Sequence, residues 1–192
     1  MEAEGGVYHA LSRGNYRGPI YQSDQTKVAF LKCLDEVCGR TGWRIHAWCL
    51  MSNHFHLAVT TPQANLVDGM SWLLGTFANR FNRFRQEQGH LFQGRYKSFV
   101  VDSSAGLGPL CHYIHLNPVR AGLCAIAALP GYPWTSLNWL RPGQHPPPWY
   151  DPLPALSHAG ELPPTADGVG QSRADGVSAC GVGSKRHTFG AA

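Results

Sequence analysis

Apolar and polar residues alternate over positions 7–14, and this spacing predicts a β-strand because successive side chains of a strand point to opposite faces. Over residues 25–40 the apolar spacing changes to steps of three and four, which predicts an amphipathic helix. The apolar positions of this helix are Val28, Leu31, Leu34 and Val37. Either Ser23 or Asp24 can cap its first turn.

Two runs rich in β-formers follow at 43–51 and 54–61, and their separation by only Ser52 and Asn53 predicts a β-hairpin. The longest apolar stripe of the chain comes next and predicts a helix over residues 66–87. The stripe consists of Leu66, Met70, Leu73, Phe77, Phe81 and Phe84.

Residues 90–101 read as a fourth strand, and Gly108 with Pro109 marks the start of a last helix over 108–116, because proline is tolerated in the first helical turn. This order predicts an α+β fold with a ferredoxin-like βαββαβ antiparallel sheet, helices on one face and an additional C-terminal helix. The other face of the sheet is predicted to be open to a ligand.

Composition places the domain in only part of the 192 residues. Ten of the 14 prolines lie between Pro130 and Pro164, and the remainder is small and rich in glycine. Such a segment buries too little apolar surface to offset the entropy lost on ordering it. We therefore expect a folded domain over residues 5–140 and a Pro/Gly-rich linker with a disordered tail over 141–192.

Charge and hydropathy exclude several classes of protein. A formal net charge of +4 with 15% charged residues is unlike a histone-like or disordered polyelectrolyte. No run reaches the roughly 18 apolar residues of a membrane span, and the N-terminus lacks the apolar core of a signal peptide. Six scattered cysteines without a C-x-x-C pair favour reduced thiols. We expect a cytoplasmic protein without membrane association.

His54 and His56 are two residues apart in a predicted strand, so both imidazoles share one face while Phe55 points to the other. Two neutral imidazoles side by side can hold a divalent ion. Taken alone, however, the spacing favours a structural pair of histidines over a metal site.

Tyr113 and Asn117 are four residues apart at the last predicted helix, so the phenol and the carboxamide share a helix face. Tyrosines at the edge of an apolar core are common, and this pair alone does not define a site.

Basic residues are concentrated between Arg80 and Lys97, where Glu87 is the single anion. The five cations are Arg80, Arg83, Arg85, Arg95 and Lys97. Gln93 shares a face of the predicted strand with the last two. Such a surface suits a phosphate backbone, although a solvated helix face explains most runs of charge.

Together, these features resemble the REP-associated single-tyrosine transposases, which have an IS200-like transposase domain and belong to the HUH (His-hydrophobic-His) group of single-strand DNA nucleases. The resemblance is carried by five segments in the family's order that cover most of residues 7–125. They are YHALSRGN (8–15), HAWCLMSNHFHLAV (46–59), LLGTFANRFNRFR (73–85), GHLFQGRYKSFVV (89–101) and YIHLNPVRAGL (113–123).

The resemblance implies a role for each motif residue. The metal-binding histidines of the family fall on His54 and His56, the nucleophile on Tyr113, and a third ligand on Asn117. The implied ion is Mg²⁺ or Mn²⁺, acting as a Lewis acid on a phosphate. The implied DNA-binding residues are Arg13, Asn15, Arg80, Arg83, Gln93, Arg95 and Lys97.

The activity implied by the resemblance is that of a DNA transposase and endonuclease. Such an enzyme cleaves and rejoins single-stranded DNA at REP-like hairpins through a 5′-phosphotyrosine intermediate, without a nucleotide cofactor. The implied partners are DNA hairpins and a second copy in a homodimer. The alternatives are a non-catalytic hairpin-binding protein and a metal-dependent phosphodiesterase that uses water, for which Tyr113 would be incidental.

One segment departs from the family pattern. Residues 102–113 read DSSAGLGPLCHY, whereas relatives carry a charged, helix-favouring segment there. Two glycines and a proline are expected to shorten or loosen the helix that bears Tyr113.

Overall fold

A four-stranded antiparallel sheet forms the centre of the protein, and its strand order is β2-β3-β1-β4. The computed structural model describes residues 2–102 and 105–160. The strands are β1 (Gly6–Arg13), β2 (Arg44–Leu50), β3 (His54–Thr61) and β4 (Lys97–Val100). The helices are α1 (Asp24–Thr41), α2 (Leu66–Arg85), α3 (Leu107–His115), α4 (Asn117–Arg120) and α5 (Leu153–Gly160). The predicted ferredoxin-like βαββαβ fold is confirmed.

The sequence signal at the start of α1 acts as predicted. The Ser23 side chain accepts a hydrogen bond from the Thr26 N–H at 3.2 Å and caps the first turn. The helix ends at Gly42, whose φ of 71° is a left-handed conformation that glycine adopts without steric cost.

Helices α1 and α2 cover one face of the sheet, which we call the helix face. Their contact with the sheet is a cluster of aromatic rings that includes Tyr21, Phe30, Phe55 and Phe77. The Phe30 and Phe55 ring centroids are 4.8 Å apart, and both side chains are fully buried. Burial of such rings removes a large apolar area from water and stabilises the domain.

The opposite face, which bears His54 and His56 and which we call the His face, is only partly open. Small residues of the sheet allow α3 to pack closely over β2 and β3. The residues buried at this contact include Val7, Ala47, Ala58, Cys111 and Ile114. The prediction of a fully open face is therefore wrong over β2, because the apolar side of α3 requires burial.

The packed chain continues past the predicted boundary at residue 140. Tyr150 is 7% exposed, and the Asp151 N–H donates to the Ile45 carbonyl at 2.9 Å. The Trp149 indole N–H donates to the Asp35 carboxylate at 2.6 Å, and α5 packs on α3. Proline-rich composition thus conceals apolar anchors, and residues 141–160 belong to the compact unit instead of a linker. The remainder of the predicted tail lies outside the described residues.

The fourth strand is shorter than the predicted 90–101. Phe92 is buried and bridges Gly14, and Gly94 then adopts a left-handed conformation (φ 71°) that ends the extended backbone. Residues 90–96 consequently form a loop, so the predicted alternation of Gln93 with later residues on one strand face is wrong.

Within the described ranges, no helix is both long and apolar enough to cross a membrane.

Candidate active site

The register between β1, β3 and β4 brings two histidines and an arginine together on the His face. Arg13 lies opposite His54, and Leu11 lies opposite His56. On its other side, Leu11 lies opposite Lys97. Phe55 is fully buried against the helix face, so the side chains alternate as the sequence predicted.

Tyr113 reaches this histidine pair from α3. Its ring centroid is 6.1 Å from that of His56, and the two rings meet edge-on. The Arg120 guanidinium lies 4.8 Å from the centre of the Tyr113 ring, in a cation–π contact. Tyr113 is 40% exposed, so part of this residue is open to solvent and to a ligand.

His54 is held by its sequence neighbour Asn53. The Asn53 Nδ2 group donates to the Arg17 carbonyl at 2.9 Å, and Asn53 Oδ1 lies 2.7 Å from His54 Nδ1. Because the amide nitrogen must face the Arg17 carbonyl, the amide oxygen faces His54, and His54 Nδ1 must donate the hydrogen bond. The neutral His54 ring therefore carries its lone pair on Nε2.

His56 is paired with a third imidazole that the sequence analysis missed. His9 Nε2 lies 2.9 Å from His56 Nδ1, and the two rings stack with centroids 5.2 Å apart. The His9 ring also contacts Tyr113, at a centroid distance of 6.0 Å. His9 thus adjoins both a proposed metal ligand and the proposed nucleophile.

All three imidazoles are held in the neutral form. Burial, with a smaller effect of Arg13, lowers the pKa of His54 to about 4. Burial, followed by the charges of His54, His9 and Arg13, lowers the pKa of His56 to about 3. Burial also lowers the pKa of His9. Neutral imidazoles keep the lone pair that a metal ion requires.

These imidazoles fit a divalent cation whose remaining ligands come from groups other than histidine. His54 presents Nε2 with Nδ1 bound to a neighbour, which is the usual state of a metal-ligating histidine. Among the described residues, no group of three or more His, Cys, Asp and Glu side chains could hold an ion. Two imidazoles therefore leave positions for water, phosphate oxygens or a carboxamide oxygen.

Asn117, the predicted third ligand, begins α4 just beyond Tyr113. Its Nδ2 group donates to the Tyr113 carbonyl at 2.9 Å and to the Ile114 carbonyl at 3.2 Å. This side chain therefore caps the end of α3, and its oxygen is the atom left for coordination.

The tyrosine-bearing helix is short but well anchored. Its N-cap, Gly106, makes no side-chain hydrogen bond. In its C-terminal half, Ile114 is fully buried, and His115 Nε2 lies 2.8 Å from the Ser136 Oγ atom. The end of α3 that carries Tyr113 is thus fixed to the core, and the shortening or loosening expected from the two glycines and the proline stays a prediction.

Several predicted DNA-binding residues lie near the histidine pair. Exposed Arg13 ends β1, and its carbonyl accepts a hydrogen bond from the Gln93 N–H at 2.8 Å. Asn15 donates its N–H to the Leu91 carbonyl at 2.9 Å. Exposed Lys97 lies on the His face through its pairing with Leu11, and Arg95 is exposed in the preceding loop.

Arg80 and Arg83 lie on α2, in the layer on the other side of the sheet. The Arg80 guanidinium forms a bidentate pair with Glu36 at 2.7 and 2.9 Å. That hydrogen-bonded pairing lowers the pKa of Glu36 and raises the pKa of Arg80. The single basic surface predicted from Arg80 to Lys97 is therefore wrong, because its members are divided between two layers.

Three residues of the site, His9, Asn53 and Arg120, were not predicted from the sequence. His9 belongs to the predicted first strand and shares a face with Arg13, so alternation alone could have placed it on the His face. Asn53 immediately precedes the histidine pair. Arg120 lies seven residues after Tyr113, about two helical turns, and that spacing is the signal for their contact.

The chain thus combines a ferredoxin-like sheet, two histidines on its third strand and a tyrosine that faces them from a following helix. The chain belongs to the IS200-like transposase family, since the family model described as "Transposase IS200 like" matches residues 3–117, more than half of the chain. The family resemblance identified from the five sequence segments is confirmed.

The structure is similar to that of a REP-associated tyrosine transposase bound to a REP hairpin. The TM-score is 0.61 at 16% sequence identity, over 76% of this chain and 86% of that chain, and this likeness shows the shared fold. A candidate transposase from Deinococcus radiodurans is 20% identical over 61% of this chain and 84% of that chain, with a TM-score of 0.43. Comparison with curated proteins finds no significant match.

Proposed function

We propose that this transposase cleaves and rejoins single-stranded DNA at hairpin sites, with Tyr113 as the nucleophile and with a divalent ion bound by His54 and His56. The observation that carries the proposal is the approach of the exposed Tyr113 ring to within 6.1 Å of the His56 ring, on the open part of the His face.

The reaction is a transesterification. The Tyr113 oxygen attacks the scissile phosphorus in line, a bond forms between them, and the bond from phosphorus to the 3′ oxygen breaks. The strand then carries a 5′-phosphotyrosine link and a free 3′-OH, and the phenolic proton balances the departing oxygen. A 3′-OH can later attack the same link and reseal the strand, so no nucleotide cofactor is consumed.

The residues around Tyr113 have separate tasks. His54 and His56 would hold Mg²⁺ or Mn²⁺, with the Asn117 oxygen as a further donor, and the bound ion supplies Lewis-acid stabilisation of the phosphate. Arg120 lies over the Tyr113 ring in a cation–π contact and helps to hold that ring in position.

The DNA strand is proposed to follow polar residues beside the histidine pair, all of them exposed except the half-buried Asn15. These residues are Arg13, Asn15, Gln93, Arg95 and Lys97. Arg83 is proposed to contact a more distant part of the hairpin stem, and Arg80 would do so only by exchanging Glu36 for a phosphate. Because chromosomal DNA is the substrate, we place the activity in the cytoplasm, and a homodimer remains the proposed assembly.

The test compares Tyr113→Phe and His54→Ala with the unaltered protein on DNA hairpins in the presence of Mn²⁺. Tyr113→Phe should abolish strand cleavage because it removes the attacking oxygen. Hairpin affinity should stay within about twofold, because loss of a hydroxyl from an exposed ring leaves the fold intact. His54→Ala should abolish metal-dependent cleavage. Cleavage at the normal rate by Tyr113→Phe would favour a phosphodiesterase that uses water, and binding without cleavage by the unaltered protein would favour a non-catalytic hairpin binder.

A further inference from the structure

The turn that follows β1 contains two consecutive residues in a strained backbone conformation. Tyr16 has φ 50° and Arg17 has φ 58°, within the short 3₁₀ turn Asn15–Arg17. Residues with a Cβ rarely adopt this left-handed region, and such strain persists where the surrounding structure imposes it, often at functional sites. Gln86 also has a positive φ, but it caps the end of α2, where that conformation is common.

The Tyr16 side chain does not help to fold the domain. It is 92% exposed, more than any other large hydrophobic residue of the described chain. Within the described ranges its ring makes no aromatic contact, and its one recorded hydrogen bond joins its backbone N–H to Asn15 Oδ1 at 3.1 Å. The strained backbone therefore projects a bare aromatic ring into solvent.

The turn itself is rigidly held. The Arg17 N–H donates to the Gly14 carbonyl at 3.0 Å, and the Gly18 N–H donates to the Asn15 carbonyl at 2.8 Å. A Cβ at Gly14 would lie 2.3 Å from the Gly18 carbonyl oxygen, so the two ends of the turn approach as closely as glycine permits. Backbone contacts thus fix the point from which the Tyr16 side chain extends.

The same turn is joined directly to the candidate active site. The Asn53 carboxamide donates to the Arg17 carbonyl at one end and accepts from His54 at the other. The Gly14 N–H donates to the Asn53 carbonyl at 2.8 Å. Two exposed arginines are close to Tyr16 in the sequence, Arg13 three residues before it and Arg17 one residue after it.

We propose that Tyr16 is a stacking platform for one unpaired nucleobase of the DNA strand beside the scissile phosphate, with Arg13 and Arg17 on the flanking phosphates. Single-stranded nucleic acids are commonly bound by a basic track together with exposed aromatic rings. The inference rests on the proposed function, because it places the base next to a strand held at the histidine pair.

The test measures affinity for two DNA hairpins that share one stem, one blunt and one with a randomised single-stranded extension of about eight nucleotides. Tyr16→Ala should weaken binding of the extended hairpin about 5- to 150-fold, the range found for loss of one stacked base. Binding of the blunt hairpin should stay unchanged. Tyr16→Trp should retain the affinity, and Phe84→Ala, which removes an exposed ring (70%) from α2 in the other layer, should have no effect.

A second variant separates function from folding. Tyr16→Gly should raise the melting temperature, because glycine adopts positive φ freely, while weakening the extended hairpin as much as Tyr16→Ala does. Unchanged affinity of Tyr16→Ala for the extended hairpin would overturn the proposal. A change in sedimentation mass without a change in DNA affinity would also overturn it and assign Tyr16 to a protein contact.

The proposal and the function on which it rests can fail separately. If Tyr16→Ala loses affinity for the extended hairpin while the unaltered protein leaves every strand uncut, base stacking is supported and strand cleavage is wrong. If the unaltered protein cleaves through Tyr113 and Tyr16→Ala binds normally, cleavage is supported and stacking is wrong. An unaltered protein that binds neither hairpin overturns both.

Discussion

Asn53→Ala tests whether the Asn53 carboxamide sets the tautomer of His54. The substitution removes two side-chain hydrogen bonds, one of 2.7 Å to His54 Nδ1 and one of 2.9 Å to the Arg17 carbonyl. At about 0.5 to 1.5 kcal/mol for each bond, the free energy of unfolding should fall by about 1 to 3 kcal/mol. For a domain of this size the melting temperature should fall by roughly 2 to 12 °C.

Loss of the Asn53 acceptor should also affect metal binding. Without it, the His54 proton is free to move to Nε2, and removal of such an outer partner typically weakens metal affinity about 10- to 100-fold. Isothermal titration with Mn²⁺ measures the affinity, and ¹⁵N NMR of the imidazole nitrogens reports the tautomer without metal.

Two variants complete this experiment. Asn53→Asp retains an acceptor for His54 but cannot donate to the Arg17 carbonyl, so it should keep the Nδ1–H tautomer and most of the Mn²⁺ affinity while losing stability. Asn82→Ala is the matched control, because it removes a carboxamide hydrogen bond to the Gly89 carbonyl in the helix layer. A wild-type tautomer and wild-type Mn²⁺ affinity in Asn53→Ala would refute the reasoning.

Three further predictions concern the boundary of the domain, its pH dependence and its basic surface. A chain that ends at residue 140 should melt several degrees below one that ends at residue 160, because it lacks the buried residues that pair with β2; equal melting temperatures would contradict the packing. The free energy of unfolding should be greatest above about pH 6.5, the ordinary pKa of histidine, and should fall as the pH is lowered towards the folded-state pKa of His56, about 3. Between these two values the imidazole of the unfolded chain binds a proton that the folded chain does not bind. His56→Asn should flatten this fall in thermal melts, and an unaltered pH profile would argue against a neutral buried imidazole. Arg13→Ala should weaken hairpin binding and reduce its salt dependence by about one ion, as measured by filter binding. Arg80→Ala should leave both unchanged. Equal losses of affinity in the two variants would show that both arginines belong to one DNA-binding surface.

Much of the fold follows from local periodicity. Both long helices could be predicted because an amphipathic stripe repeats over many turns, and Ser23 caps the first of them. The fourth strand was predicted too long because alternation is judged locally. Burial of Phe92 and the left-handed Gly94 depend on contacts with the end of β1, which the pattern does not contain.

The end of the domain and the distribution of charge also depend on contacts that the local sequence pattern does not contain. The number of prolines between residues 141 and 160 predicts a linker. In the structure, however, Trp149 donates a hydrogen bond to Asp35 on α1, and Tyr150 bridges Ile45 on β2. Arg80 and Lys97 are close in sequence, but α2 and β4 lie in different layers of the fold, so their charges are separated.

The candidate site was predictable to the extent that it depends on strand alternation. His54 and His56 share a face because they are two residues apart, and the resemblance pointed to Tyr113. Alternation also assigns His9 to the His face, but its pairing with His56 depends on cross-strand register. The contribution of Asn53 depends on a turn, and the sequence pattern specifies neither the register nor the turn.

The central claim is that Tyr113 becomes covalently linked to DNA. The most direct measurement incubates the protein with Mn²⁺ and hairpins bearing single-stranded extensions, denatures the mixture, and identifies the nucleotide-bearing peptide by mass spectrometry. We expect a single 5′-phosphotyrosine adduct on Tyr113, absent from Tyr113→Phe. Strand cleavage without an adduct, or an adduct on another residue, would contradict the proposed mechanism.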